Sequence, residues 1–276
     1  MTASAWTPGS LSVPGARLHY QTRGAGPLLV VLPGGDGDAD ASDALAEQLA
    51  GRFTVVTHDR RGLSRSALDA PPAGHTLSTH GDDVHALLAH LGRGPAHVVG
   101  SSMGAMVGLD LLARHPGDVV RLVAHEPPAS SLLDDDERRS LDATHAAIEA
   151  TRRSTGPLPA MRRFIQLVGM RFDDREPDVT LPAFRRERLA NIDFFLAHDV
   201  PAVRDHDLDL TALAAHKNRL VVAAGSASGD APYARPAHVL AARLGVACEL
   251  FPGAHNGFWS HPRAFAERLI EVLTRG

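Results

Sequence analysis

The sequence predicts an α/β fold in which helices cover both faces of a mostly parallel sheet and a helical segment is inserted near the middle. At both ends of the chain, short runs that are apolar at every position alternate with amphipathic helical stretches. Strands buried on both faces are typical of parallel sheets. Between residues 129 and 206 no such run occurs, and the pattern is helical and rich in Arg, Asp and Glu. We therefore predict a core of residues 1–128 and 207–276 and a helical cap of residues 129–206.

Six apolar runs are the predicted parallel strands, and five amphipathic stretches are the helices that accompany them. Gly, Pro and Asp residues bound the strands and are typical of turns. Residues 9–20 carry polar interruptions and are predicted to form an antiparallel pair at the edge of the sheet. The predicted strands are 28–32, 53–57, 97–99, 122–124, 219–225 and 247–251, and the predicted helices are 41–50, 76–91, 103–115, 236–244 and 262–273.

The composition is that of an ordinary globular protein and argues against several functions. The net charge of −4 over 276 residues offers no concentrated basic face for nucleic acid or a membrane surface. The single cysteine, Cys248, cannot form an intrachain disulfide. No apolar run is long enough to span a bilayer and the N-terminus lacks a signal-peptide pattern, so we expect a cytoplasmic protein. We expect no metal and no organic cofactor, because no cluster of His, Cys and Asp shows ligand spacing.

The segment Gly100-Ser101-Ser102-Met103-Gly104 fits the pattern G-x-S-x-G and lies between an apolar strand and a helical stretch. In that context a sharp strand-to-helix turn exposes the central serine, here Ser102, as a nucleophile. Small residues on both sides allow the turn, and the helix N-terminus places amide donors beside a developing oxyanion. The pentapeptide alone also fits a plain Gly- and Ser-rich turn, so the surrounding strand and helix carry the prediction.

Three segments together resemble the α/β-hydrolase fold family. One is the pentapeptide around Ser102, and another is Phe251-Pro252-Gly253-Ala254-His255, which is similar to the family's loop ending in the catalytic histidine. The third, residues 59–66 with the sequence DRRGLSRS, resembles the family motif D-x-R-G-x-G-x-S, with Ser64 in place of the second glycine. The resemblance covers nearly the whole chain outside the cap and implies an eight-stranded, mostly parallel sheet.

His255 is the predicted general base among 16 histidines. It follows an apolar strand by a Pro-Gly-Ala turn, where the resemblance implies a base within reach of the serine hydroxyl. The chain order, with Ser102 before His255, also agrees with the family. A plain surface histidine is the alternative interpretation.

The resemblance also implies an oxyanion hole built from the backbone amides of Met103 and Gly35. Met103 follows the nucleophile, and Gly35 lies in the glycine-rich loop of residues 33–37, directly after the predicted strand 28–32. Many relatives have His-Gly where this chain has Pro33-Gly34, so support from that histidine side chain is missing here. A plain glycine-rich turn fits the same residues.

The acid that orients the base is the open assignment. Most relatives carry it as G-x-x-D after the strand before the last crossover, but the matching position here is Ser228, and Asp230 stands two residues later. Glu126 ends the strand after the nucleophile helix, where a subset of related dehalogenases carries its acid. We predict that Glu126 orients His255, with Asp230 as the alternative. A third interpretation is that Glu126 only accepts hydrogen bonds from loop amides.

Together these residues predict hydrolysis of an ester, lactone or thioester of a small to medium apolar molecule through an acyl-enzyme. A C–C bond hydrolase, a non-hydrolytic enzyme of the same fold (cyclase, decarboxylase or lyase) and a receptor with weak turnover are the alternatives. The expected partner is a small-molecule substrate, and the sequence leaves the oligomeric state open. The apolar residues from which we expect the roof of the pocket are Met161, Phe164, Leu167, Met170, Phe194, Phe195, Phe258 and Trp259.

Overall fold

The computed structural model describes residues 5–72, 74–180 and 186–275. Within them, nine strands form one sheet. In chain order the strands are β1 Thr7–Val13, β2 Ala16–Arg23, β3 Leu28–Leu32, β4 Thr54–His58, β5 Ala67–Leu68, β6 Ala96–Ser101, β7 Val119–His125, β8 Leu220–Gly225 and β9 Cys248–Phe251. Eight of them follow the order β1-β2-β4-β3-β6-β7-β8-β9, and the two-residue β5 pairs with β2. The predicted eight-stranded sheet is confirmed, with β5 as a short addition.

The six apolar runs form the parallel part of the sheet, and β1 and β2 form the predicted antiparallel pair. The strand β2 joins antiparallel to β4. Because parallel strands end at the same edge of a sheet, the loops after Leu32, Ser101, His125, Gly225 and Phe251 meet there. This edge carries all the residues singled out for chemistry by the sequence.

Helices cover both faces of the sheet, as strands that are apolar at every position require. Within the described residues they are α1 Asp43–Leu49, α2 Leu77–Leu91, α3 Met103–Arg114, α4 Asp135–Thr155, α5 Pro157–Val168, α6 Arg186–Phe194, α7 Val200–Arg204, α8 Leu210–Ala215, α9 Arg235–Leu244, α10 Gly257–Ser260 and α11 Pro262–Thr274. A π-helical turn, Phe195–Asp199, joins α6 to α7. One face of the sheet packs on α1 and α11, and the other packs on α2, α3 and α9.

The helices α4 to α7 are inserted between β7 and β8, and the structure describes no strand in this stretch. Met161 and Phe164 of α5 and Phe195 of the π-helical turn belong to the same buried cluster as Met103 at the start of α3. Burial of such side chains stabilises the contact by about 1.5–3 kcal/mol each. The inserted helices are therefore held onto the sheet edge where the candidate site lies.

Two expectations from the composition concern the rest of the chain. Among the described residues, no helix is both long and apolar enough to cross a membrane. Cys248 is half-buried in β9, and its burial raises the pKa of the thiol to about 11. A thiol with that pKa is protonated near neutral pH and is a poor nucleophile.

Candidate active site

Ser102 lies at the turn between β6 and α3, in a backbone conformation that residues other than glycine rarely adopt. Its φ is 54° and its ψ is −122°, and such strain persists only where the surrounding structure holds it. The Ser102 amide donates to the His125 carbonyl at 2.9 Å, and the Ser102 carbonyl accepts from the Ala105 amide at 2.9 Å. The turn therefore anchors a nearly buried serine at the carboxyl edge of the sheet, where the sequence predicts it.

The glycines of the turn are required by close approaches of the backbone. A Cβ atom on Gly100 would overlap the Gly104 carbonyl, and one on Gly104 would overlap the Leu32 carbonyl of β3. A Cβ atom on Gly34 would lie 2.7 Å from the Cβ of Ser102. These contacts explain why the turn and the facing loop carry glycine, and they bring the loop after β3 directly against Ser102.

His255 and Glu126 form a short, buried hydrogen bond. The distance from His255 Nδ1 to Glu126 Oε2 is 2.6 Å, and Glu126 Oε1 accepts the backbone amide of Gly225 at 2.7 Å. Glu126 is fully buried and adopts a φ of 47°, while its own amide donates to the Ala223 carbonyl at 2.8 Å. The carboxylate is thus aimed by contacts with β8, and it leaves His255 Nε2 as the ring nitrogen available to a substrate.

The charge state of Glu126 is set by its partners. Burial by itself raises the pKa of a carboxyl group, but the hydrogen bond from His255 and the charge of that ring outweigh it and lower the pKa of Glu126 to about 2. His125 and the Ser228 hydroxyl contribute to the same lowering. Glu126 is therefore an ionised carboxylate at neutral pH and can stabilise positive charge on His255.

Asp230, the alternative acid, lies elsewhere. It is exposed in the turn after β8, and the hydrogen bond described for the His255 ring goes to Glu126. Ser228, which occupies the position of the usual acid, has its hydroxyl oxygen packed against Gly225, where an added Cβ would lie 2.6 Å away. The geometry required of an orienting acid is thus met by Glu126 and not by Asp230; its catalytic role stays a prediction.

The loop after β3 brings Gly35 next to Ser102. Its turn is closed by a hydrogen bond from the Gly37 amide to the Gly34 carbonyl at 3.1 Å. In a trans peptide the N–H points opposite to the C=O, so the Gly35 N–H faces away from that turn. Gly35 and Ser102 line one cavity, and Met103 lines a second cavity with Ser102. Gly35 and Met103 therefore both lie beside Ser102, and the role of their amides as an oxyanion hole stays a prediction.

Arg60 holds this loop in place, and the sequence analysis missed it. The guanidinium group donates to the carbonyls of Pro33 at 3.0 Å and Gly37 at 3.3 Å and also to the Gly35 carbonyl. It is buried and forms an ion pair with Asp199 Oδ2 at 3.1 Å. Arg60 occupies the variable position of the D-x-R-G motif, which is why the motif gave no sign of its role.

Asp199 belongs to a buried group that the sequence analysis also missed. His75 Nε2 lies 2.7 Å from Asp199 Oδ1 and 3.0 Å from His80 Nε2. One ligand atom of each of these three residues lies within 4.8 Å of the others, a spacing that could hold a metal ion. The half-buried residues His85, His115 and Asp118 form a second such group. The expectation from the sequence that no cluster has the spacing of metal ligands is therefore wrong, because folding brings Asp199 next to His75 and His80.

The departure from the family motif at Ser64 has a structural explanation. Ser64 keeps a φ of 45°, the conformation that usually selects glycine. Its amide donates to Asn191 Oδ1 at 2.9 Å, its hydroxyl donates to Asp38 Oδ2 at 2.7 Å, and Asn191 Nδ2 donates back to the hydroxyl at 2.8 Å. Side-chain contacts from α6 thus hold Ser64 in the backbone conformation of the glycine it replaces.

Ser102 borders two small cavities under the inserted helices. We call the one that contains His255 and Gly35 the base-side cavity, of about 40 Å³, and the one that contains Met103 the inner cavity, of about 20 Å³. Of the apolar residues expected in the roof, Leu167 and Phe194 line neither cavity; Met161, Phe164, Met170, Phe258 and Trp259 line the base-side cavity, and Phe164 and Phe195 line the inner one.

Comparisons with known proteins agree with this architecture. A family model described as the alpha/beta hydrolase fold matches residues 27–175. The uncharacterized hydrolase YraK of Bacillus subtilis strain 168 is 37% identical over 272 residues, which cover 97% of this chain and 96% of YraK. A hydrolase from Pseudomonas aeruginosa PA01 superposes with a TM-score of 0.62 at 25% identity, over 97% of this chain and 98% of its own.

A thermophilic esterase from Thermogutta terrifontis superposes with a higher TM-score, 0.78, at 20% identity, over 97% of this chain and 98% of the esterase. At that identity the superposition speaks for the fold alone. The family match and the similarity to YraK over almost the whole chain go further. The chain belongs to the α/β-hydrolase family and is a hydrolase of that class.

Proposed function

We propose that the protein is a serine hydrolase that cleaves an ester, lactone or thioester of a small to medium apolar molecule through an acyl-enzyme. The observation that carries the proposal is a strained, nearly buried Ser102 beside a His255 ring whose Nδ1 is held by Glu126. A serine at such a turn with an oriented histidine is the arrangement that nucleophilic catalysis requires.

In the proposed reaction, the Ser102 hydroxyl oxygen attacks the acyl carbon while His255 Nε2 takes the hydroxyl proton. The oxyanion accepts hydrogen bonds from the Gly35 and Met103 amides. Collapse of the tetrahedral intermediate breaks the bond to the leaving group, which receives the proton from His255. A water molecule, deprotonated by the same nitrogen, then hydrolyses the acyl-enzyme, and the Glu126 carboxylate stabilises the imidazolium in both halves.

We propose that residues 129–206 act as the cap that selects the substrate. Support comes from Met161, Phe164 and Met170, which line the base-side cavity together with His255. Apolar walls exclude water and strengthen the electrostatic interactions inside the site. They also favour an apolar substrate.

Labelling with a fluorophosphonate probe tests the proposal, because the probe reacts only with an activated serine. We expect one labelled residue, Ser102. The Ser102→Ala variant should fold, lose the label and lose at least about 10³-fold in turnover of its best ester. Ser101→Ala is the matched control, since Ser101 is equally buried in the same turn, and it should keep the label.

A cleanly folded Ser102→Ala protein that retains near-wild-type turnover would contradict the acyl-enzyme. It would favour a non-hydrolytic reaction that uses the pocket and His255 without a covalent step. The substrate for this measurement comes from a screen of aryl esters, lactones and thioesters of increasing acyl length.

A further inference from the structure

The two cavities beside Ser102 differ in which catalytic groups they contain. Ser102 and Phe164 line both, but His255 lines only the base-side cavity and Met103 only the inner cavity. Because His255 must protonate the leaving group, the leaving group has to lie in the base-side cavity. The acyl group, bonded to the same carbon, then extends in the other direction, into the inner cavity.

The surroundings of the two cavities agree with this division. Arg188 and Trp259 line the base-side cavity and also a wide outer hollow of about 400 Å³. A leaving group of substantial size can therefore extend outwards past these two side chains. The inner cavity shares no described residue with that hollow, and its volume of about 20 Å³ leaves room for one or two water-sized groups.

The inner cavity is lined by apolar side chains together with a buried polar pair, His145 and Tyr233. The Tyr233 hydroxyl lies 3.1 Å from His145 Nε2, and both residues are buried, at 5% and 7% exposure. The second ring nitrogen, His145 Nδ1, is buried and has no hydrogen-bond partner among the described residues. A buried polar atom without a partner is costly, and in a substrate pocket it is a place where a ligand supplies the missing partner.

Both members of this pair are uncharged at neutral pH. Burial, together with the nearby Arg204, lowers the pKa of His145 to about 4, and burial raises the pKa of Tyr233. Neutral hydroxyl and imidazole groups exchange hydrogen bonds with a hydroxyl or carbonyl oxygen and offer no full charge to a carboxylate. Arg204 also lines the inner cavity, but its guanidinium group donates to Asp205 Oδ1 at 2.8 Å. The His145–Tyr233 pair is therefore suited to a neutral oxygen on the acyl group.

We infer, resting on the proposed hydrolase function, that the inner cavity binds a short acyl group bearing a hydroxyl or keto oxygen that hydrogen-bonds to the His145–Tyr233 pair. The apolar part of the substrate is then its leaving group, in the base-side cavity. Discrimination arises because an acyl group without that oxygen leaves the buried pair unsatisfied, and sites built for a hydroxyl reject its absence strongly.

Two isosteric ester pairs with one leaving group test the inference. We compare 4-nitrophenyl glycolate with the propionate and 4-nitrophenyl lactate with the isobutyrate, dividing each kcat/KM by the hydroxide-catalysed rate of the same ester. This division removes the intrinsic activation by the hydroxyl group. We expect the hydroxyacyl ester to be preferred by about 10-fold or more. A corrected ratio near one overturns the inference.

The Tyr233→Phe variant separates recognition from packing. It keeps the ring, which stands edge-on to His255 at 5.7 Å between centroids, and removes the hydroxyl alone. The preference for the hydroxyacyl ester should fall towards one. Tyr20→Phe is the matched control, because the Tyr20 hydroxyl also contacts a histidine, His90 Nε2 at 3.2 Å, on the exposed surface. An undiminished preference in Tyr233→Phe contradicts the inference.

A binding measurement distinguishes failure of this inference from failure of the proposed function. Lactamide and isobutyramide are titrated into Ser102→Ala protein by calorimetry, which needs no turnover. We expect lactamide to bind about 10-fold more tightly and to lose that advantage when Tyr233→Phe is added. Equal binding of the two amides overturns the inference even if serine labelling succeeds. A lactamide preference without serine labelling overturns the hydrolase proposal alone.

Discussion

Two buried carboxylate–histidine pairs of the described residues have nearly the same contact distance. Glu126 contacts the His255 ring at 2.6 Å and Asp199 contacts the His75 ring at 2.7 Å, and both carboxylates are fully buried. They differ in their second partner. The other Glu126 oxygen accepts a neutral amide, that of Gly225, whereas the other Asp199 oxygen accepts a guanidinium N–H from Arg60.

This difference teaches that a short carboxylate–histidine contact does not by itself identify a catalytic pair. Asp199 is already neutralised by a permanent cation, so little of its charge remains to stabilise a forming imidazolium. The strongest cationic partner available to Glu126 is His255 itself, next to Ser102. We therefore expect the first pair to act on the reaction and the second to act on the position of the loop after β3.

The largest expected effect on rate comes from Glu126→Gln. The amide cannot hold the imidazole tautomer or stabilise its charge, and a comparable change in a serine protease triad lowers kcat by about 10⁴-fold. We expect a loss of that order in kcat, measured on the best ester of the screen. Asp230→Asn is the control and should change the rate only a few-fold. If Asp230→Asn lost most of its kcat while Glu126→Gln stayed active, the acid would be Asp230 instead.

The next largest effect is expected for Asp199→Asn, mainly as a lower free energy of unfolding. Leaving the buried Arg60 without a counter-charge costs about 3–5 kcal/mol of unfolding free energy. The loosened loop should also lower kcat, by much less than Glu126→Gln does. Urea unfolding and kinetics on the same preparations measure both.

Asp83→Asn is the matched control for Asp199. Asp83 forms a buried two-bond pair with Arg61, at 2.6 and 2.7 Å, one residue from Arg60 but without contact to the loop after β3. The Asp83→Asn variant should have a lower free energy of unfolding and an unchanged kcat. If Asp199→Asn matched Glu126→Gln in rate while keeping its stability, Asp199 would belong to the reacting groups.

A smaller effect is expected in the pH dependence of stability. The pKa of Glu126 in the folded state is about 2, below its ordinary value of 4.5. Glu126 therefore stabilises the folded state above about pH 4.5, and this contribution is lost as the pH falls towards 2. The unfolding free-energy gap between wild type and Glu126→Gln should shrink between pH 5 and 3, as measured by urea unfolding.

The same measurement sharpens the comparison of the two pairs. The charge of Arg60 helps to hold the pKa of Asp199 even further below its ordinary range. The gap between wild type and Asp199→Asn should thus persist to lower pH than the gap for Glu126→Gln. Identical pH profiles for the two variants would contradict the distinction.

The smallest expected effect is that of chelation. His75, His80 and Asp199 have ligand spacing, but Arg60 already supplies the positive charge beside Asp199. Dialysis against EDTA should leave the rate and the melting temperature unchanged. A loss that Zn²⁺ or another divalent ion restores would show that this group binds a metal and would assign Asp199 a different role.

The sequence by itself predicted the sheet and the residues at its carboxyl edge. Runs that are apolar at every position can only be satisfied between two helical layers, and the residues after each run then meet at one edge. The glycines of the turn at Ser102 are dictated by contacts within a few residues and with the neighbouring strand. Glu126 could be proposed because it ends such a strand, as His255 follows one.

Only the tertiary structure decided what else surrounds those residues. Gly225 reaches Glu126 across 99 residues, Asn191 supports Ser64 across 127, and Asp199 reaches Arg60 across 139. The inner cavity joins Tyr233 to His145 across 88 residues. Such contacts depend on how whole helices pack on the sheet, so neither periodicity nor a local motif encodes them. That is why the nucleophile and base were predictable from the sequence, whereas Arg60, Asp199 and the division into a base-side and an inner cavity were not.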